Sequence, residues 1–261
     1  MHLPTLLSLT VGSTLASAAT LLAGGTAITW NSTTSSLEII RNSSILIENG
    51  TISSISSGAP TVPLPSNLTT IDTTNDILTP GFIDTHRHSW QTAFKTLGSN
   101  TTLLEYLPYF GTTSAAATQF SAEDVYIGQL AGLYEALNAG VTSVVDFAHC
   151  AWSDGHVRAA LAGMRESGVR GVFAFYFGDA EATGYTVDAQ VDLFGEIAAQ
   201  AREGEKVQLG VSYDGFDGGN QSQTETVVDL ARCVFPPLPP PSSTSFSSQM
   251  DVHCRSNLNT Y

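Results

Sequence analysis

Leu78-Thr79-Pro80-Gly81-Phe82-Ile83-Asp84-Thr85-His86-Arg87-His88 is the stretch on which the reading of this sequence turns. Its apolar character predicts a buried strand, from Ile77 to His86, ending in two histidines one residue apart. Side chains alternate along a strand, so Asp84, His86 and His88 are expected on one face. If that strand ends at the C-terminal rim of a parallel barrel, paired imidazoles on one face are a starting point for a metal site.

Downstream of this stretch, strand-like and helix-like segments alternate. Ala122–Asn138 reads as a helix, with Val125, Ile127, Leu130, Leu133, Tyr134 and Leu137 near helical spacing and Gly140 as its stop. Val141–Phe147 is β-branched and strand-like. Then follow a helix around Val157–Glu166, a strand at Gly171–Phe177, a helix at Val187–Ala201, a strand at Val207–Tyr213 and a helix at Thr224–Cys233. Such repetition implies an α/β fold with a parallel sheet and right-handed crossovers, either a barrel or a doubly wound sheet. Upstream, residues 20–60 hold short β-rich runs, and Asn49-Gly50 between two of them is a strong hairpin signal. A small antiparallel β unit is expected there. After Val234 the pattern stops: Pro236-Pro237-Leu238-Pro239-Pro240-Pro241 runs into a Ser-rich stretch with no packing period.

Composition narrows the function classes. With 42% hydrophobic and 13% charged residues the chain suits a globular core. A formal charge of −14 argues against nucleic acid or an anionic membrane surface as partner. Leu3–Ala18 is apolar or small and ends in Ala16-Ser17-Ala18, the form of a signal-peptidase site, so secretion is expected. That run is too short for a membrane anchor, and no later run reaches about 18 apolar residues. Asn31, Asn42, Asn49, Asn67, Asn100 and Asn220 each open an Asn-x-Ser/Thr triplet and are expected glycosylation sites. Cys150, Cys233 and Cys254 are an odd set, leaving open one disulfide and one free thiol.

Pro80-Gly81-Phe82-Ile83-Asp84-Thr85-His86-Arg87-His88 resembles the metal-binding signature of the amidohydrolase superfamily, and Glu135–Asp146 is similar to the helix–Gly-Val-Thr–strand passage of the same enzymes. The element order of residues 20–232 agrees. Within the superfamily, His86-Arg87-His88-Ser89-Trp90-Gln91 resembles the branch of cyclic-amidine deaminases and triazine chlorohydrolases. The resemblance implies a barrel preceded by a small β-sandwich and one Zn²⁺ or Fe²⁺ held by His86 and His88 among its ligands. It also implies attack by metal-activated water on a ring carbon of a small heterocyclic substrate. Gln91 then occupies a substrate-contacting position. Trp90, Tyr106, Tyr109 and Phe110 offer an apolar wall for a flat ring, and His149, with Asp146, lies near the rim as a substrate contact or a hydrogen-bonded pair.

Departures from that pattern matter equally. The resemblance calls for a third and a fourth histidine, a late aspartate and a proton-handling glutamate on later strands. Only His253 lies near the first of these places, and no catalytic residue can be named. A barrel of this kind takes about 250 residues, more than the stretch from Leu78 to Val234 provides. The expectation is therefore a truncated product with these parts: signal peptide 1–18, β-sandwich portion 19–77, incomplete barrel of about four β/α units 78–234, and disordered tail 235–261. Unpaired strand edges would then favour poor solubility or partner-dependent folding, with an oligomer left open. Two readings follow: a secreted metal-dependent hydrolase of non-peptide C–N bonds, or a catalytically incompetent secreted glycoprotein fragment.

Overall fold

The computed structural model describes residues 19–202 and 204–234. The expected signal peptide, the Pro/Ser-rich tail, His253 and Cys254 lie outside the described residues. Two compact units divide between Pro80 and Gly81, slightly beyond the expected boundary.

The first unit is one sheet of five strands: β1 (Ala19–Asn31), β2 (Ser36–Glu48), β3 (Thr51–Ser57), β4 (Leu68–Asp72) and β5 (Ile77–Leu78). The short runs expected over residues 20–60 merge into long strands because bulges, not turns, interrupt them. Register shifts flank Gly25, and Gly24 has φ of 96°, which an L side chain rarely adopts. The Asn49-Gly50 hairpin forms with φ of 52° and 74°, positive at both central residues as a type I′ turn requires. The sheet is mixed where an antiparallel unit was expected. β4 and β5 run parallel to β1, with Thr73 joining them: its N–H donates to the Ala23 carbonyl at 2.8 Å, and its hydroxyl accepts from Gly25 N–H at 3.1 Å. Among the described residues the expected sandwich is represented by this single layer.

The second unit carries the β/α alternation. Its strands are β6 (Phe82–Arg87), β7 (Val141–Ala148), β8 (Arg170–Phe177) and β9 (Val207–Tyr213), all parallel in the order β6-β7-β8-β9. Between β6 and β7 lie a 3-10 helix (Ser89–Phe94), α1 (Leu103–Phe110), α2 (Ala116–Gln119) and α3 (Ala122–Asn138). α4 (Asp154–Ser167), α5 (Val187–Gln200) and α6 (Gln221–Val234) follow β7, β8 and β9. Side-chain caps start four of these helices. Ser121 and Asp124 form a reciprocal capping box on α3, Thr102 and Glu105 do so on α1, and Ser153 and Thr186 cap α4 and α5.

Two expectations require correction. The strand predicted from Ile77 to His86 is two strands. Ile77 and Leu78 pair with β1, and β6 begins only at Phe82, whose N–H donates to the Gly140 carbonyl at 2.8 Å. Pro80 has no N–H to extend a ladder, and a Cβ at Gly81 would lie 2.1 Å from the Thr142 hydroxyl. Nor is β6 buried: it has one paired neighbour, and Phe82 and Ile83 are 66% and 70% exposed. In α3 the buried stripe is Val125, Gly128, Gln129, Gly132, Leu133 and Ala136, whereas Ile127 and Tyr134 face solvent. Small residues occupy that stripe because the 3-10 helix presses backbone against it. A Cβ at Gly128 would meet the Trp90 carbonyl oxygen at 2.4 Å.

The core lies between the sheet and its helices. Phe173, Phe175 and Phe177 alternate along β8, so all three reach one face, where Phe175 and Phe177 meet Phe194 of α5 at ring distances of 5.7 and 5.5 Å. Trp90, Trp152, Leu133 and Met164 continue the same cluster.

A candidate metal site at the end of the first parallel strand

β6 ends at Arg87, and His88 stands at the N-cap position of the 3-10 helix, with φ −115° and ψ 76°. The chain therefore leaves the sheet between the two histidines, yet their rings converge. Nε2 of His86 and Nε2 of His88 are 3.2 Å apart, with the rings edge to face. Two nitrogens bound at about 2.0–2.1 Å to a tetrahedral zinc would stand roughly 3.3 Å apart, so the pair has the spacing of two ligands on one cation. Alternation does not produce this convergence unaided, because the β6–β7 register is irregular between Asp84 and Arg87. Asp84 instead serves the turn: one carboxylate oxygen accepts from His86 N–H at 3.3 Å and the other faces Arg87 at 3.5 Å.

His88 is held in the form a metal needs. Its Nδ1 lies 2.9 Å from the Phe147 carbonyl oxygen, which can only accept, so Nδ1 carries the proton and Nε2 keeps its lone pair. Burial pushes the His88 pKa below its ordinary value; the Phe147 bond opposes that shift, and the charge of His86 adds to it. A neutral imidazole is the ligating species. Among the described residues no group of three or more His, Cys, Asp or Glu converges, so this part of the chain contributes a pair.

The other expected site residues take differing places relative to that pair. His149 is buried just past β7, its ring 4.1 Å from that of His88, and its Nδ1 accepts from the Trp90 indole at 3.3 Å. Burial, with the charge of His88 second, pulls its pKa down to about 3, so His149 is a neutral hydrogen-bonded neighbour with little surface to offer a ligand. Trp90 is 0% exposed and packs edge to face on Trp152 at 5.0 Å. That correction places Trp90 beneath the site, because the 3-10 helix turns its indole into the core. Gln91 is half-buried and engaged with α1, donating from Nε2 to the Tyr106 hydroxyl and to the Phe110 carbonyl, both at 2.6 Å. Its amide anchors α1 and does not point free into the site. Tyr109 is exposed. His156 is half-buried and tied by Nε2 to the Phe120 carbonyl at 2.9 Å.

Asp146, expected at the rim as a partner of His149, is joined instead by residues that the sequence reading passed over, Ser89 and Gln129. Asp146 is fully buried; it accepts from Ser89 N–H at 2.9 Å and from the Gln129 amide at 2.5 Å. Burial raises its pKa, against the lowering effect of those two donors. Gln129 was detectable in principle, being a polar residue between Val125 and Leu133 at helical spacing. The Phe147 contribution is a backbone carbonyl and leaves no mark in the sequence.

The 5'-deoxyadenosine deaminase of Methanosarcina barkeri is 33% identical over 107 residues, 41% of this chain and 23% of that enzyme. The guanine deaminase of C. acetobutylicum, solved with guanine bound, superposes with a TM-score of 0.64 at 19% identity, over 83% of this chain and 51% of that one. A zinc-bound adenosine deaminase from Xanthomonas campestris gives 0.63 at 18% identity, over 83% and 47%. The chain thus spans about half the length of these solved structures, and its match covers less than a third of the curated relative. At these identities the solved structures establish the fold. All three are named for a catalysed reaction and lend no support to a non-catalytic fragment. The profile of the amidohydrolase family matches residues 77–258, from the last strand of the first unit through all four parallel strands, and on that match this chain belongs to the amidohydrolase family.

Proposed function

We propose that the chain acts as a metal-dependent hydrolase of non-peptide carbon–nitrogen bonds, and that its reaction is deamination of a cyclic amidine within a small heterocycle of the purine type. The observation that carries this reading is the 3.2 Å convergence of the His86 and His88 Nε2 atoms, with His88 fixed as the Nδ1–H tautomer by Phe147. These two side chains would be two of the ligands to Zn²⁺ or Fe²⁺. Bound there, a divalent cation supplies Lewis-acid activation of water near neutral pH. Neighbouring residues of the chain set the environment of the pair. The Phe147 carbonyl orients His88, neutral His149 packs against it without adding charge, and the Asp214 carboxylate beyond β9 exerts a field on it. The deaminase names of the relatives support the choice of reaction and substrate class.

Secretion belongs to the same proposal. It is supported by Leu3–Ala18 and by the exposure of Asn42, Asn49, Asn67, Asn100 and Asn220; Asn31 is half-buried and accepts from two backbone N–H groups.

The test is metal content and ammonia release on the full chain, purified without chelators. We expect bound Zn²⁺ or Fe²⁺ that is lost in His86→Ala, and ammonia from guanine, adenosine or 5'-deoxyadenosine. A chain that holds no metal as isolated, and takes up neither cation when supplied, would sink the proposal.

A further inference from the structure

Two consecutive residues of β7 grip the two residues that follow β6. The Phe147 carbonyl accepts from the His88 ring at 2.9 Å, and the Asp146 carboxylate accepts from the Ser89 backbone N–H at 2.9 Å. The second oxygen of Asp146 is itself held by Gln129 of α3 at 2.5 Å. The carboxylate side of this grip lies in a dry region: Asp146, Gln129 and Ser89 have no exposed surface. A buried carboxylate is costly unless hydrogen-bonded, and this one accepts, besides the Gln129 amide, the backbone N–H of the residue after a histidine. The His88 backbone has left the strand, so no ladder hydrogen bond beyond Arg87 locates it.

We infer that Asp146, backed by Gln129, is the positioning residue for the His88 ligand: it fixes the Ser89 peptide so that the His88 ring reaches the Phe147 carbonyl and keeps its Nε2 lone pair toward His86. This rests on the proposed role of His88 as a ligand, but the geometry it describes exists without metal. What Asp146 supplies is an acceptor at a fixed point, and asparagine can supply that too. Its Oδ1 would accept from Ser89, and its amide could donate to Gln129 Oε1, a buried atom with no partner at present. Alanine supplies nothing. Replacing Asp146 and Gln129 together by leucine removes the acceptor and leaves no unpaired polar side chain on α3, so the core stays filled.

The experiment uses the full chain with ¹⁵N-labelled imidazoles, metal-free at neutral pH, and reads the His88 tautomer by NMR; zinc affinity is measured in parallel by chelator competition. Wild type and Asp146→Asn should show the Nδ1–H tautomer at His88. Asp146→Ala and the Asp146→Leu/Gln129→Leu double variant should show a mixture of tautomers and bind zinc about 10- to 100-fold more weakly. A folded Asp146→Ala or double variant with the wild-type tautomer would overturn the inference, and so would an Asp146→Asn protein that behaves like alanine. Should wild type bind no zinc, the proposed function fails, and the tautomer pattern still decides the role of Asp146.

Discussion

Gly132→Ala tests whether α3 and the His88 loop are built as one unit. In an ordinary helix interior this change stabilises by about 1 kcal/mol, because glycine loses more backbone entropy than alanine. Here the added Cβ would stand 2.3 Å from the Thr92 hydroxyl and 2.6 Å from the Ser89 carbonyl oxygen, both inside the 3.0 Å that real Cβ contacts respect. Thr92 can rotate away. The Ser89 carbonyl is backbone, and its residue is fixed on the other side by Asp146. The Gly132 carbonyl also accepts from Arg87 at 3.0 Å, so a shift of α3 disturbs the end of β6 as well. Overpacking of this kind costs about 1–3 kcal/mol, which cancels the helix gain of about 1 kcal/mol and leaves a net loss of up to about 2 kcal/mol. That corresponds to a fall in Tm of roughly 2–4 °C per kcal/mol for a unit of this size. Gly155→Ala in the first turn of α4, whose Cβ meets nothing nearer than 3.6 Å, is the control and should be neutral or stabilising. Both are measured by thermal unfolding of the full chain, with zinc affinity alongside. If Gly132→Ala stabilised as much as Gly155→Ala and left zinc binding unchanged, the close packing of the loop on α3 would be wrong.

Three further outcomes are expected. His88→Ala should weaken zinc binding at least about tenfold, since catalytic metals commonly need three or more protein ligands and this removes one; equal affinity in a chelator competition would exclude the pair as the site. His149 has a folded pKa of about 3 against about 6.5 when unfolded, so its contribution to stability is complete above pH 6.5 and is lost as pH falls toward 3, at up to about 1.4 kcal/mol per pH unit. Urea midpoints across that range should fall for wild type and flatten in His149→Gln, and an unchanged slope would contradict the burial of His149. The Cys150 thiol is fully buried and its pKa is pushed up by that burial, so peptide mapping after iodoacetamide treatment should show Cys150 unmodified in the native chain and alkylated only after denaturation. Rapid native alkylation would refute its place in the core.

What the sequence determined by itself is whatever depends on local pattern. Apolar spacing and cap residues placed α3 at Ala122–Asn138, β9 at Val207–Tyr213 and the Asn49-Gly50 hairpin, because helix and strand periods and left-handed turns act over a few residues. The Pro-Gly-Phe-Ile-Asp-Thr-His-Arg-His stretch pointed to the histidine pair for the same reason. Only the tertiary structure decided which strands meet and which side chains are dry. β4 and β5 run parallel to β1 because of pairings made across some fifty residues of chain, through Thr73 and Ala23. Trp90 went under the site because a 3-10 helix turned it there. Ile127 and Tyr134 faced solvent because glycines, not leucines, fit against that helix's backbone. The grip on His88 comes from a carbonyl and a buried carboxylate on a neighbouring strand. Backbone carbonyls are the same at every residue, so only the packing of β7 beside β6 could show that Phe147 is where His88 finds its acceptor.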